Sequence, residues 1–176
     1  KGTYVYANLT PNKNNYCVLK FDFSGIPTEK YREVKEYERI YNNIVISGLK
    51  LFNEHYNTNI SIADVSLTAS EILDNFIIDF NALKLEHKLY ILIDEYDNFT
   101  NGILEGDASL FKNVLDNNGF VKSFYVVIKK YVGLGIVDRF FATGICPITL
   151  NSMTTRFNIA TDISTSPEYN SMIGLT

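Results

Sequence analysis

A run of apolar residues that ends in adjacent acids constrains the fold of this chain more than any other feature. Residues 89–97 read LYILIDEYD, so that five apolar or aromatic residues lead directly into Asp94 and Glu95. A parallel strand that is covered on both faces reads as a continuous apolar run, and the pattern therefore predicts a buried strand that ends at Asp94. Ligands of open α/β sheets bind just outside the carboxyl ends of the strands, where these two carboxylates should lie.

The two acids suit the chemistry of nucleotide hydrolysis. In the second acidic motif (Walker B) of P-loop ATPases, an Asp holds Mg²⁺ directly or through water, and a following Glu can orient the attacking water. Asp94 and Glu95 are the candidates for these roles, although an ordinary strand followed by an acidic turn would give the same pattern. The matching phosphate loop, G-x-x-x-x-G-K-[ST], does not occur in the 176 residues. In this interpretation the sequence contains half of an ATPase site.

Strand patterns alternate with helical patterns along the rest of the chain. Strands are predicted at 16–23, 89–94, 138–144 and, at an edge, 157–163; helices are predicted at about 28–56, 68–83, 108–115 and 121–132, and from Pro167 onward. This alternation predicts an α/β fold in which a parallel sheet is flanked by helices. We expect the strand at 17–23 to lie beside the strand at 90–94, which in turn pairs with 139–143.

Four further polar residues are weaker candidates. Thr143 ends the strand next to the acidic one, where P-loop proteins carry a polar residue aimed at the terminal phosphate or the attacking water; it could equally be a threonine that terminates a strand. Asp97 could accept a hydrogen bond from a residue of the site or be a solvated acid, and the solvated acid is favoured. Arg139 lies at the wrong end of its strand for a nucleotide. Arg156 could be an arginine finger, but an exposed loop arginine is favoured.

Composition excludes several classes of function. The net charge of −4 disfavours a general nucleic-acid surface, and no apolar stretch approaches the ~18 residues of a membrane span. The isolated His55 and His87 and the two cysteines cannot form a zinc cluster, and no G-x-S-x-G nucleophile elbow is present. Cys17 and Cys146 lie in apolar surroundings and are interpreted as buried free thiols, which predicts a cytoplasmic protein.

Four segments, taken together, resemble the prokaryotic AAA-ATPase-like family: 16–26 (YCVLKFDFSGI), 92–97 (LIDEYD), 140–149 (FFATGICPIT) and 157–173 (FNIATDIS, then PEYNSMIG). Members typically join an N-terminal P-loop ATPase-like domain to a C-terminal PD-(D/E)XK nuclease-like domain. The resemblance implies that Asp94 is the magnesium-side acid, Glu95 the catalytic acid and Thr143 the sensor position. Members usually carry an R-R-F-G-K-S-type phosphate loop upstream of the segment that resembles 1–6.

The resemblance implies a P-loop NTPase-like domain over 1–176 that is truncated at both ends, without its phosphate loop, its lid and its nuclease-like domain. The intact protein is expected to bind and hydrolyse ATP with Mg²⁺ and to act with a nuclease-like domain in cis. It is expected to contact nucleic acid only indirectly, through that domain. The isolated chain is expected to be inactive and to hold no cofactor tightly. The alternative is a nucleotide-independent interaction scaffold with a vestigial ATPase fold. An open edge along 139–143 is expected to drive self-association or to pair with residues 2–6.

Overall fold

The computed structural model describes residues 7–9, 11–26, 34–62, 66–98, 119–144, 159–164 and 166–169. The regular elements within these ranges are β1 (Tyr16–Asp22), α1 (Val34–Tyr56), α2 (Ala69–Ala82), β2 (Lys88–Asp94), α3 (Phe120–Gly133), β3 (Val137–Ala142) and a 3₁₀ turn at Pro167–Tyr169. None of the described helices is both long enough and apolar enough to cross a membrane.

The three strands form a parallel sheet in the order β1-β2-β3. Asp22 at the end of β1 is in register with Asp94 at the end of β2, and Ile93 is in register with Ala142 near the end of β3. Helices connect strands that run in the same direction, as a parallel arrangement requires. The predicted α/β fold, its strand order and its flanking helices are therefore confirmed, and together they are consistent with a P-loop-like core.

Among the residues that the structure describes, the core lies on one face of the sheet, so the prediction that both faces of β2 are covered was only partly right. Leu89, Ile91 and Ile93 of β2 are buried and join buried side chains of all three helices in a single cluster. Tyr90 and Leu92 point to the opposite face, where they are only half-buried. An unbroken apolar run does not distinguish the two faces of a strand, because successive side chains alternate between them whatever their polarity.

Helix α1 packs against β1, and a glycine permits the close approach. A Cβ atom on Gly48 would lie 2.8 Å from the Lys20 carbonyl oxygen and 2.8 Å from the Phe21 ring. Near the end of the same helix, the Tyr56 hydroxyl accepts a hydrogen bond of 2.7 Å from the Val18 amide. The helix thus satisfies a backbone group of β1 that its neighbouring strand does not use, which protects an edge that would otherwise invite pairing with another chain.

Two helix ends are specified by residues that are common at such positions, a threonine before α2 and glycines at the end of α3. Thr68 caps α2: its side chain accepts from the Glu71 amide, and the Glu71 carboxylate accepts from the Thr68 amide at 2.8 Å. The Glu71 carboxylate also accepts from the Thr68 hydroxyl at 2.7 Å. The bond from the Thr68 amide, followed by the bond from the Thr68 hydroxyl, lowers the pKa of Glu71. Helix α3 ends at Gly133, and Gly135 follows with a φ of 71°, the left-handed conformation that glycine adopts most readily.

The edge strand predicted at 157–163 was wrong over its described part. Residues 159–164 are irregular: the Asp162 carboxylate accepts a hydrogen bond of 2.9 Å from the Ser164 amide, and the Ser166 amide donates to the Ile163 carbonyl. Such local hydrogen bonds from Asp compete with a strand ladder. The predictions for 2–6, 28–33, 108–115, Cys146 and Arg156 lie outside the described residues.

Candidate functional site

Two strand ends meet at the acidic motif and are joined by three hydrogen bonds of a single residue. Thr143 follows β3, and its hydroxyl donates to Asp94 Oδ1 at 2.6 Å. Its amide donates to the Ile93 carbonyl at 2.9 Å, and its carbonyl accepts from the Tyr96 amide at 3.0 Å. Because all three bonds depend on the backbone position of Thr143, the ends of β2 and β3 cannot shift relative to each other without breaking them. The structure thus brings Asp94, Glu95 and Thr143 together at the carboxyl ends of the strands, as the sequence predicted. This end of the sheet is called the acidic edge.

The first strand adds a lysine and a second aspartate to this edge. Lys20 Nζ lies 3.4 Å from Asp22 Oδ2 and 3.5 Å from Asp94 Oδ2, which raises the pKa of the lysine, with Asp22 the larger cause. The Ser24 hydroxyl and amide donate to Asp22 Oδ1 at 2.6 and 3.1 Å, and these bonds, more than Lys20, lower the pKa of Asp22. Sequence reasoning missed both residues, since they appear only as polar positions of an alternating strand.

Glu95 occupies an uncommon backbone conformation. Its φ of 51° lies in the left-handed region, which costs a non-glycine residue about 1–2 kcal/mol. The turn is held by the Asn98 amide, which donates to the Glu95 carbonyl at 3.1 Å, and by the Asn98 side chain, which donates to the carbonyls of Phe23 and Ser24 at 3.0 and 3.2 Å. Among the described residues none bonds to the Glu95 carboxylate, which is half-buried beside Asp94. A strained residue whose conformation is held by several surrounding hydrogen bonds is typical of functional sites.

Asp97 is buried, which corrects the preference for a solvated acid. Its exposed fraction is 1%, and its Oδ1 would lie 2.5 Å from a Cβ atom placed on Gly144. The Tyr96 ring would meet the same Cβ atom at 2.5 Å. The glycine after Thr143 therefore gives space to the acidic turn, and this steric fit explains why a Thr-Gly step follows β3. Asp97 and Tyr96 also contribute, after burial, to the raised pKa of Tyr125.

The remaining candidates lie away from this edge. Arg139 is at the start of β3, where Nε contacts Asp138 Oδ2 at 3.5 Å and the Tyr16 hydroxyl at 3.4 Å. The hydrogen bond that Arg139 donates to the Tyr16 hydroxyl is the main reason that the pKa of Arg139 is raised. His55 packs edge-on against Tyr56. Within the described ranges, no group of three or more His, Cys, Asp or Glu side chains is arranged to hold a metal ion.

The oxygen atoms at the acidic edge nevertheless suit a Mg²⁺ ion that keeps some of its waters. Mg²⁺ keeps several waters and is usually held by one or two carboxylates plus substrate phosphates, so a full cage of protein ligands is not required. Asp94 supplies a carboxylate that is 46% exposed, with Thr143 beside it. Oδ1 is engaged by Thr143 and Oδ2 by Lys20, so a cation would reach Asp94 through a bridging water or by displacing the lysine.

Comparison with models of protein families identifies the family of this chain. The model of the AAA-ATPase-like family, described as predicted AAA-ATPase, matches residues 1–154, which include all three strands and the acidic edge. Searches of curated proteins and of solved structures returned no significant match.

Proposed function

Because this chain belongs to the predicted AAA-ATPase family, we propose that its acidic edge is the magnesium and water side of an ATP-hydrolysing site. Asp94 would hold the magnesium ion, Glu95 would orient the attacking water, and Thr143 would sense the terminal phosphate. The observation that carries the proposal is the 2.6 Å hydrogen bond from Thr143 to Asp94 at the carboxyl ends of neighbouring parallel strands. Mg²⁺ would neutralise developing phosphate charge when bound.

Each residue contributes a distinct property to this chemistry. The hydrogen bond from the Thr143 hydroxyl to Oδ1 holds the Asp94 carboxylate in one orientation at the acidic edge. The left-handed turn at Glu95 directs the next backbone amide, that of Tyr96, to the Thr143 carbonyl at 3.0 Å. The Glu95 carboxylate, unbonded among the described residues, keeps its lone pairs for a water molecule. We further propose that the intact protein couples this site to a nuclease-like domain in cis.

The test is ATP hydrolysis by the full-length protein with Mg²⁺. Glu95→Gln should reduce kcat by about 10²-fold or more, the scale of general acid–base catalysis, while ATP binding changes little. Asp94→Asn should weaken the Mg²⁺-dependent part of ATP binding. Asp79→Asn is the matched control, because Asp79 is an exposed acid of α2 without an ion pair among the described residues, and it should leave both properties unchanged.

A nucleotide-independent scaffold is the second candidate, and one observation favours it. Both oxygens of Asp94 already have protein partners, Thr143 and Lys20. If the full-length protein neither hydrolyses ATP nor binds it in an Mg²⁺-dependent manner, the scaffold is supported. If hydrolysis occurs and Glu95→Gln does not reduce it, the roles assigned to the acidic edge are wrong even though the protein is an ATPase.

A further inference from the structure

A lysine outside the acidic motif is shared between two carboxylates. Lys20 Nζ lies 3.4 Å from Asp22 Oδ2 and 3.5 Å from Asp94 Oδ2. The other oxygen of each carboxylate is held by a hydroxyl. Ser24 Oγ donates to Asp22 Oδ1 at 2.6 Å. Thr143 Oγ1 donates to Asp94 Oδ1 at 2.6 Å. The two carboxylates are therefore fixed independently of the lysine, and the ammonium group can favour either one without disturbing the other.

The sheet register explains this arrangement. Lys20 and Asp22 are two residues apart on β1 and point to the same face, and Asp22 is in register with Asp94 on β2. The lysine side chain is 53% exposed and lies on the wall of a groove of about 1000 Å³ between β1 and α1. The ammonium group thus has open space on one side and a carboxylate on each of two neighbouring strands.

We propose that Lys20 competes with a divalent cation for Asp94: it pairs with the carboxylate while no divalent cation is bound, and it shifts wholly to Asp22 when a cation binds Asp94. The inference rests on the proposed function, because it takes Asp94 as the magnesium-side acid. Lys20 then sets the cation affinity of the edge, since a cation must overcome both the ion pair and the repulsion of a neighbouring positive charge. Asp22 supplies the second position for the ammonium group.

The experiment measures binding of Mn²⁺ alone to the full-length protein, from the electron paramagnetic resonance signal of free Mn²⁺. Lys20→Met and Lys20→Gln should each tighten binding about three- to tenfold, the scale expected for removing one partly solvated charge close to the cation. Lys20→Arg should stay near wild type, because the charge is kept. The control Lys50→Met removes an exposed lysine of α1 that has no ion pair among the described residues, and it should have no effect.

Two further variants separate the possible failures. Asp94→Asn should weaken Mn²⁺ binding, and Asp22→Asn should weaken it less in the Lys20→Met background than in wild type. If Asp94→Asn weakens binding but Lys20→Met leaves it unchanged or weaker, the role of Lys20 is refuted and the proposed function stands. If Asp94→Asn has no effect, Asp94 is not the metal acid and both proposals fail. Damage to the fold would weaken binding in every variant, so tighter binding in Lys20→Met cannot come from it.

Discussion

Replacing Gly144 by alanine tests the packing between the end of β3 and the acidic turn. The added Cβ atom would lie 2.5 Å from Asp97 Oδ1 and 2.5 Å from Tyr96 Cε1, closer than any ordinary van der Waals contact. Asp97 is 1% exposed and cannot move into solvent without moving the turn. Overpacking of this kind costs about 1–3 kcal/mol. Alanine also restricts the unfolded chain more than glycine does, which stabilises the folded protein by about 0.4–1 kcal/mol.

The net expectation is a loss of about 1.3 kcal/mol in the free energy of unfolding, which is the difference between the midpoints of these two ranges. Urea denaturation of wild type and variant measures it. The matched control is Gly25→Ala, because a Cβ atom at Gly25 meets nothing within 4 Å and the residue does not have a positive φ. That control should be neutral or stabilising by about 0.4–1 kcal/mol.

A double-mutant cycle identifies the atom responsible for the loss. Asp97→Ala removes the carboxylate that the new Cβ atom meets, so the cost of Gly144→Ala should be smaller in that background by about 0.5 kcal/mol or more, as for other contacting pairs. If Gly144→Ala is as stable as wild type while Gly25→Ala behaves as expected, the steric account of the Thr-Gly step is refuted.

Three other substitutions test separate features of the fold. Gly48→Ala should destabilise the protein by about 1–3 kcal/mol in urea denaturation, because the Cβ atom would meet a backbone carbonyl of β1 that cannot rotate away. Thr68→Ala should cost about 1 kcal/mol, and since the capping bonds lower the pKa of Glu71, the difference from wild type should shrink as the pH falls below the ordinary value of 4.5. In a Cys146→Ser background, Cys17 should react with a thiol reagent only as fast as the protein opens, because Cys17 is 3% exposed and burial raises its pKa.

The sequence predicted the sheet well because its signals are local. The apolar run ending at Asp94, the alternating strand at β1 and the capping box at Thr68 each specify an element from neighbouring residues alone. The covered faces of β2 could not be predicted in the same way, since burial depends on which helices pack against the sheet. The turn at 159–164 was misread because alternation in a short polar segment is also compatible with the side-chain hydrogen bond that Asp162 makes.

The positions of some residues of the candidate site were also predicted, because their signals are local as well. Asp94 and Thr143 end their strands, and parallel strands bring such ends to one edge of the sheet. Lys20 was missed because its partner lies on another strand, 74 residues later in the sequence. The burial of Asp97 depends on the ring of Tyr96 and the absence of a side chain at Gly144, a steric relation that no single segment contains.

The central claim is that Asp94 marks the metal side of a nucleotide site. The most direct test is an anomalous difference map from crystals of the full-length protein grown with Mn²⁺ and a non-hydrolysable ATP analogue. The account predicts an anomalous peak about 2 Å from an Asp94 carboxylate oxygen, or about 4 Å away when one water bridges them, with the analogue's phosphates on the same ion and Glu95 facing the terminal phosphate. A nucleotide bound elsewhere, or a metal peak at the phosphates that lies far from Asp94, would contradict it.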